Sequence, residues 1–384
     1  MKKVILIVSL VFLCAIGVLM IWKIFPVKRF VQKKFADASI EAAFDEQDCP
    51  PAPVLTNTYT ALYQGKLIDT HMHIPSIPDG PSMNGADAQA RPIMGVNTTM
   101  TDFVCLMKDE NIDKVFAFFP VWEPIINQQL LLVDRTLDTY PDRFVPFIMP
   151  PDRDDQPDGY PTVDAKTLSR MLQKYPNLFS GYGEIGLYER VDHGGPKGSL
   201  ALPPDSERMM EIYPVVQQHS LTVYVHLGAG QKQAFENALD AYPQINFIWH
   251  GDQLITGSGS NQNLQNIDDI LDRHPNAYYG VDELYGDVWL LRPDIHKDQF
   301  FAHFDDTESL LAQDLATWQA FIERHPDQVL WGTDRGGAAL WSLDPDVGMT
   351  LATYARAFIA LLNPNVQEKF AYQNAGRILY KKTR

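Results

Sequence analysis

"KLIDTHMHIP", residues 66–75, is a short apolar run that ends in two histidines one residue apart. In a strand, successive side chains alternate faces, so His71 and His73 point the same way, and Asp69 with them. Two adjacent imidazoles make a poor apolar core. They make a good half of a metal site, because neutral imidazole is a common ligand for zinc and its neighbours. The bland alternative is a chance pair on a solvated edge strand. Whether the chain supplies the other half of a site decides between them.

The same pattern recurs along the chain. Short β-branched or aromatic runs follow at "KVFAFFPV" (114–121), "FVPFIMP" (144–150), "FSGYGEIGL" (179–187), "TVYVHLG" (222–228), "NFIWHG" (246–251), "AYYGVDE" (277–283) and "VLWGTD" (329–334). Amphipathic helical stretches separate them, and a last one covers 347–362. Such alternation predicts a parallel sheet. Five of the helices are expected to stop at Tyr-Pro or His-Pro, at 140, 175, 242, 274 and 325. Proline cannot continue a helix and biases the preceding residue away from helical angles. His274 and His325 therefore read as helix-end residues. The connections after the strands are long, among them 75–97, 188–206, 252–263 and 284–307, whereas those before them are short. That asymmetry predicts an α/β fold of the (β/α)8 TIM type, with its site at the C-terminal ends of the strands. An open doubly wound sheet is the alternative, and it lacks a Gly-rich first turn here.

On that barrel, the polar residues fall into register. His71 and His73 end the first strand, Glu184 the fourth, His226 the fifth, His250 the sixth and Asp334 the eighth. One such residue is an ordinary core histidine or acid. Six at equivalent strand ends are not, because buried charge and imidazole are costly without compensation.

With "DTHMHIP" followed by strand-end His, His and Asp, the chain resembles the amidohydrolase superfamily of metal-dependent (β/α)8 enzymes from about Lys66 onward. "VYVHLGAG", "NFIWHGD" and "VLWGTD" are most similar to its amidohydrolase-related branch, which holds hydrolases and non-oxidative decarboxylases. The resemblance implies that His71, His73, His226 and Asp334 bind a divalent metal, most simply one zinc ion, and that His250 acts on the reacting group. "GEIGL" also resembles the fourth strand of TatD-like nucleases, where the glutamate bridges two metals, so Glu184 joins the metal set and a second ion stays open. Zinc in such a set lowers the pKa of bound water and polarises a carbonyl. Asp334 is placed to handle the water's proton and His250 to orient or stabilise the electrophile. Asp69 reads either as a carboxylate partner for the histidines or as a strand-entry residue. Arg335, next to Asp334, is the candidate contact for a substrate carboxylate. The expected activity is hydrolysis of C–O or C–N bonds in a small molecule. The alternatives are decarboxylation of an aromatic or unsaturated acid, a TatD-like nuclease, and a barrel that binds without chemistry. The segment 75–95 is long enough to act as a lid.

Charge and composition bear on partners. The 384 residues carry a net charge of −16, 45% are hydrophobic, and the first 34 hold seven basic residues and no acid, which leaves −23 on the remaining 350. A body that acidic repels a polyanion, so no nucleic-acid partner is expected. Val4 to Trp22 runs 19 residues without a charge after "MKK", and no small-x-small cleavage site follows closely. The reading is a retained transmembrane anchor over residues 1–34 with basic flanks, a linker and lead-in over 35–65, and the catalytic barrel over 66–384. "MKK" is how exported chains begin, which places the barrel outside the cytoplasm. The five basic residues from Lys23 to Lys34 argue the opposite by the positive-inside rule. Three cysteines, Cys14, Cys49 and Cys105, show no zinc or redox spacing; a Cys49–Cys105 bridge is open. Nothing in the sequence bears on oligomeric state.

Overall fold

The computed structural model describes residues 40–41, 43–44, 48–55, 59–74, 99–121, 126–150, 159–188, 201–228, 230–251, 260–282, 284–286, 295–336 and 340–380. Eight parallel strands run in spatial order β1 to β8: β1 Ile68–His73, β2 Lys114–Pro120, β3 Phe144–Met149, β4 Gly181–Gly186, β5 Thr222–His226, β6 Phe247–Trp249, β7 Ala277–Val281 and β8 Val329–Trp331. The sheet comes round on itself. A bridge pairs Met72 with Arg335, the His73 amide donates to the Arg335 carbonyl at 2.7 Å, and Thr70 Oγ1 donates to the Trp331 carbonyl at 2.8 Å. This is the (β/α)8 barrel that the alternation predicts.

Helices α1 Met100–Asp109, α2 Ile126–Thr139, α3 Ala165–Lys174, α4 Glu207–Gln218, α5 Lys232–Ala241 and α6 Ser260–Arg273 alternate with β1 to β7. Between β7 and β8 come α7 Lys297–His303 and α8 Thr307–Asp314, which passes through a π turn into α9 Ala320–Arg324. After β8 follow α10 Pro345–Leu361, α11 Pro364–Glu368 and α12 Asn374–Tyr380. The proline stops hold: α2, α3, α5, α6 and α9 each end at the residue before the expected Tyr or His. At three of these ends, Tyr175, Tyr242 and His325 take ψ of 70°, 62° and 53°, outside the helical region, as a following proline requires.

Side chains divide into two layers. Ile68, Phe116, Phe118, Val145, Phe147, Tyr224, Ile248, Tyr278 and Leu330 fill the barrel, and Ala375 and Ile378 of α12 pack onto the same cluster. The amide of Asn374 ties that helix to the carbonyls of Pro326 and Val329, before and at the start of β8. The C-terminal helix thus closes the end where the strands begin, and access is left to the end where they finish. A larger layer, from Leu67 and Met72 round to Trp331 and Phe358, joins strands to helices.

The lead-in packs on the barrel. Ile40 and Phe44 are buried, Glu41 pairs with Arg135 of α2 at 2.6 Å, and Cys49 is disulfide-bonded to Cys105 of α1. The expected anchor at Val4–Trp22 and the expected lid at 75–95 lie outside the described residues, among which no helix is long and apolar enough to cross a membrane.

Candidate metal centre

The strands β1, β4, β5, β6 and β8 deliver six side chains to one place. His71 and His73 leave β1 on the inner face. Their ring centroids are 4.9 Å apart. Asp334 follows β8 in a left-handed conformation (φ 50°) that turns the chain over the barrel mouth. Its Oδ1 lies 3.0 Å from His73 Nε2 and 3.3 Å from His71 Nε2, and its Oδ2 lies 3.6 Å from His250 Nε2. Glu184 divides in the same way. Oε2 faces His71 and His73 Nε2 at 3.6 and 3.7 Å, while Oε1 faces His226 Nδ1 at 2.9 Å and His250 Nε2 at 3.7 Å.

Three groups of donors result, with ligand atoms within 4.8 Å of one another in each: His71, His73, Glu184 and Asp334; Glu184, His226 and His250; and His71, His250 and Asp282. The first two, joined through Glu184, form the two donor sets of the site. The resemblance grouped His226 with His71, His73 and Asp334. Here His226 shares Glu184 with His250 instead, and the two rings stack at 4.6 Å. The residues fit a divalent cation on independent grounds. His71 Nε2 is buried without a hydrogen-bond partner among the described residues, and it faces two carboxylates. A buried polar atom left unpaired is costly, and a cation between these groups would satisfy it.

Electrostatics agree. Burial works against a charged His71, yet Asp334, Asp282 and Glu184 outweigh it and hold the imidazole well above its ordinary range. Burial would likewise raise Glu184, but His250, His226 and His71 draw it well below the carboxylate range. Asp334 is drawn down too, against its burial, by His71, His250 and His73. A proton on His71 thus offsets the acids in the place where a cation would do so.

Two expectations need correction. Arg335 is fully buried and makes a two-pronged ion pair with Glu110 at the end of α1, at 2.7 and 2.5 Å. The reason is alternation: Asp334 turns into the barrel, so its neighbour turns out toward the helices. Arg335 is engaged in the protein's interior and does not present its guanidinium to the mouth. Asp69 also turns away from the imidazoles. It accepts from Thr333 N at 3.1 Å and Thr333 Oγ1 at 2.6 Å, lacing β1 to β8. The cause is a register shift between Asp69 and Met72, which reverses the facing of the residues before it. Ile68 accordingly belongs to the barrel interior, and Asp69 to the other side.

One buried acid escaped the sequence reading. Asp282, just past β7, places Oδ2 3.5 Å from His71 Nδ1 and 3.7 Å from His250 Nδ1. It also accepts from Tyr224 Oη at 3.1 Å and from the Gly251 amide at 3.2 Å. A signal was present: β7 and β8 both close on Gly-x-Asp, "GVD" at 280–282 and "GTD" at 332–334. Both glycines are needed. A Cβ at Gly332 would overlap Asp282 Oδ1, and one at Gly280 would come within 2.9 Å of Tyr224 Oη. At the rim, Met149 Sδ contacts His73 Nδ1 at 3.2 Å, and the Tyr188 ring lies 4.2 Å from that of His226.

No curated protein matches the chain. Among solved structures, one assigned as a 2-pyrone-4,6-dicarboxylic acid hydrolase from Pseudomonas putida aligns with a TM-score of 0.50 at 13% identity, over 83% of this chain and 98% of that one. Another so assigned, from Acinetobacter baumannii, gives 0.48 at 15%, over 82% and 99%. A 2,6-dihydroxybenzoate decarboxylase from Rhizobium gives 0.43 at 12%, over 83% and 99%. At these identities the likeness concerns the fold. The amidohydrolase family profile, in contrast, matches residues 68–380, from the first residue of β1 to the last of α12. The chain belongs to the amidohydrolase family.

Proposed function

We propose that the chain is a metal-dependent hydrolase that cleaves a C–O or C–N bond of a small molecule. The observation that carries this reading is the buried, unpartnered His71 Nε2 facing Glu184 and Asp334 within a ring of four imidazoles. His71, His73, Asp334 and Glu184 would hold one divalent cation, with zinc suited to the nitrogen-rich set, and Glu184, His226 and His250 a second. When bound, such a cation polarises a carbonyl and makes water nucleophilic near neutral pH.

The chain's own residues divide the remaining work. Asp334 is the more open of the two site carboxylates, its side chain 26% exposed against 13% for Glu184. It uses Oδ1 toward the β1 histidines, and Oδ2, 3.6 Å from His250 Nε2, is free to take a proton from the nucleophile and return it to the leaving group. Where one cation alone is held, His250, buried beside Asp334, is left to orient the electrophile or stabilise the developing negative charge. Glu184, between both donor sets, has no oxygen to spare for substrate.

A second reading, decarboxylation of an aromatic or unsaturated acid, draws on the rim. The Tyr188 ring against His226 and the Met149 thioether against His73 offer a flat, polarisable wall. The Cys49–Cys105 bridge and the charge-free run at Val4–Trp22 together support a barrel anchored outside the cytoplasm, where disulfides persist.

The test is metal content by elemental analysis, with turnover on a panel of esters, lactones, amides and aromatic acids before and after chelation. Hydrolysis that disappears with the metal and returns on its addition is expected. Carbon dioxide release from an aromatic acid would favour the second reading, and purified protein that binds no divalent cation would remove both.

A further inference from the structure

We infer that Asp282 and Tyr224 are positioning residues that fix the tautomers of His71 and His250 together, and so couple the two donor sets from beneath. This rests on the cation reading above. The argument is one of proton count. Tyr224 has one hydroxyl proton and gives it to Asp282 Oδ2 at 3.1 Å. Its oxygen, 3.3 Å from His71 Nδ1, can then only accept. Asp282 Oδ2, 3.5 Å from the same nitrogen, also only accepts. Both groups near His71 Nδ1 therefore ask it for a proton. A neutral imidazole has one to give. With it on Nδ1, the lone pair is left on Nε2, the atom that faces Asp334 and Glu184.

His250 faces the same carboxylate. Nδ1 faces Asp282 Oδ2 at 3.7 Å, and Nε2 faces Asp334 Oδ2 and Glu184 Oε1 at 3.6 and 3.7 Å. The two rings stand edge to face, 4.6 Å apart, above one carboxylate. That carboxylate is fully buried, just past the end of β7. Gly280 and Gly332 leave the room that Tyr224 and Asp282 occupy. Of the two sets joined through Glu184, His71 belongs to one and His250 to the other, and both meet Asp282 in the third group. A change at Asp282 therefore disturbs both cation positions, whereas loss of a simple ligand such as His73 or His226 disturbs one.

The experiment titrates metal-free, full-length protein with Zn2+ by calorimetry and repeats the loading with Co2+ for proton NMR. Both ring nitrogens face the one oxygen Oδ2, which also accepts from Tyr224 and Gly251. Asp282→Asn keeps the volume but removes the negative charge with which that oxygen draws both Nδ1 protons, and puts a donor amide in the carboxylate's place. We expect both binding steps to weaken by about 10- to 100-fold with the stoichiometry at saturation unchanged, as for other residues that orient metal-bound histidines. The solvent-exchangeable, cobalt-shifted Nδ1–H signals of two rings should move or vanish. Tyr224→Phe, which keeps the ring in the core, should weaken the His71 step alone and by less. It decides the matter should Asp282→Asn fail to fold by circular dichroism. Unchanged affinity in both variants, or an effect of Asp282→Asn on one step only, overturns the inference. A lost equivalent at saturation also overturns it, by making Asp282 a ligand. Wild-type protein that takes up neither Zn2+ nor Co2+ overturns the cation reading itself and this inference with it.

Discussion

Arg335 lies fully buried with its two terminal nitrogens on the two carboxylate oxygens of Glu110, at 2.7 and 2.5 Å. Burial opposes the charge on Arg335, but Glu110 more than offsets it and the guanidinium is held firmly protonated. The pair joins the residue after Asp334 to the end of α1, so it braces the turn that carries a site carboxylate. Removing one member of a buried pair strands the other. Glu110→Gln or Arg335→Met should each destabilise the fold by about 3–5 kcal/mol, read from denaturant unfolding. Combining Glu110→Leu with Arg335→Met should recover most of that loss. A single substitution costing under about 1 kcal/mol would show that the pair is solvated.

Gly348 of α10 makes room for this pair. A Cβ there would overlap both Glu110 Oε1 and Arg335 Nη1. Alanine normally improves a helix interior by roughly 1 kcal/mol over glycine. Gly348→Ala should instead lower thermal stability, and a rise in the unfolding temperature would count against the packing described.

Asp164 caps α3 by accepting from the Thr167 amide at 2.9 Å. Its carboxyl lies below the ordinary 3.8: burial alone would raise it, but the hydrogen bonds from Thr167 and the charge of Arg208 prevail. A depressed folded pKa means that the cap's electrostatic share is fully present above about pH 4 and is lost as pH falls through the lower folded value. Asp164→Ala should cost about 1 kcal/mol at pH 7. The difference between wild type and variant should narrow below pH 4, when both are unfolded with urea across pH 3–7. A gap that stays constant over that range would assign the cap to something other than the carboxylate.

The barrel was legible because its signals are local. Tyr-Pro and His-Pro stop helices through backbone sterics that need no partner, and strand-end His and acid residues mark one end of the sheet by position alone. What was not legible depends on a residue's facing beyond a register shift. Asp69 has the right parity for the site on an ideal strand, but the irregularity before Met72 sends it to Thr333. Arg335 is one residue from a site acid and for that reason points away from it. Asp282 hid in an apolar strand, where only its hydrogen bonds to Tyr224 and Gly251 show its place. The division of Glu184 between two sets of histidines is a matter of side-chain rotation, which strand order does not encode.

Cys49 and Cys105 form a disulfide with Cα atoms 5.4 Å apart, 56 residues apart in sequence, and it ties the lead-in to α1. Unfolded but unreduced protein should therefore show one free thiol, Cys14, against three after reduction. A non-reducing peptide map should link the other two cysteines. Loop-closure entropy for that span puts the loss on reduction at about 4 kcal/mol as an upper figure. Three free thiols in protein purified under non-reducing conditions would contradict both the bridge and the extracytoplasmic placement proposed with it.

Glu184 gives one oxygen to each donor set: Oε2 toward His71 and His73, Oε1 toward His226 and His250. A carboxylate placed in this way can bridge two cations, and it supplies the negative charge that lets them approach each other. Stoichiometry should therefore separate the site residues by role. His73→Ala should lower the metal content at limiting zinc from two equivalents toward one. His226→Ala should do the same through the other set, leaving His71, His73 and Asp334 able to hold one ion. Glu184→Gln keeps the size of the side chain but removes the shared anion. It should weaken both sites, leaving one equivalent or less after dialysis, and its activity should fall more than that of either histidine variant. The arrangement implied by family resemblance alone, one ion on His71, His73, His226 and Asp334, makes different demands. Wild type would hold one equivalent, His226→Ala would abolish it, and Glu184→Gln would retain it with altered turnover. Elemental analysis of wild type and His226→Ala decides between the two, because each differs by one equivalent between them.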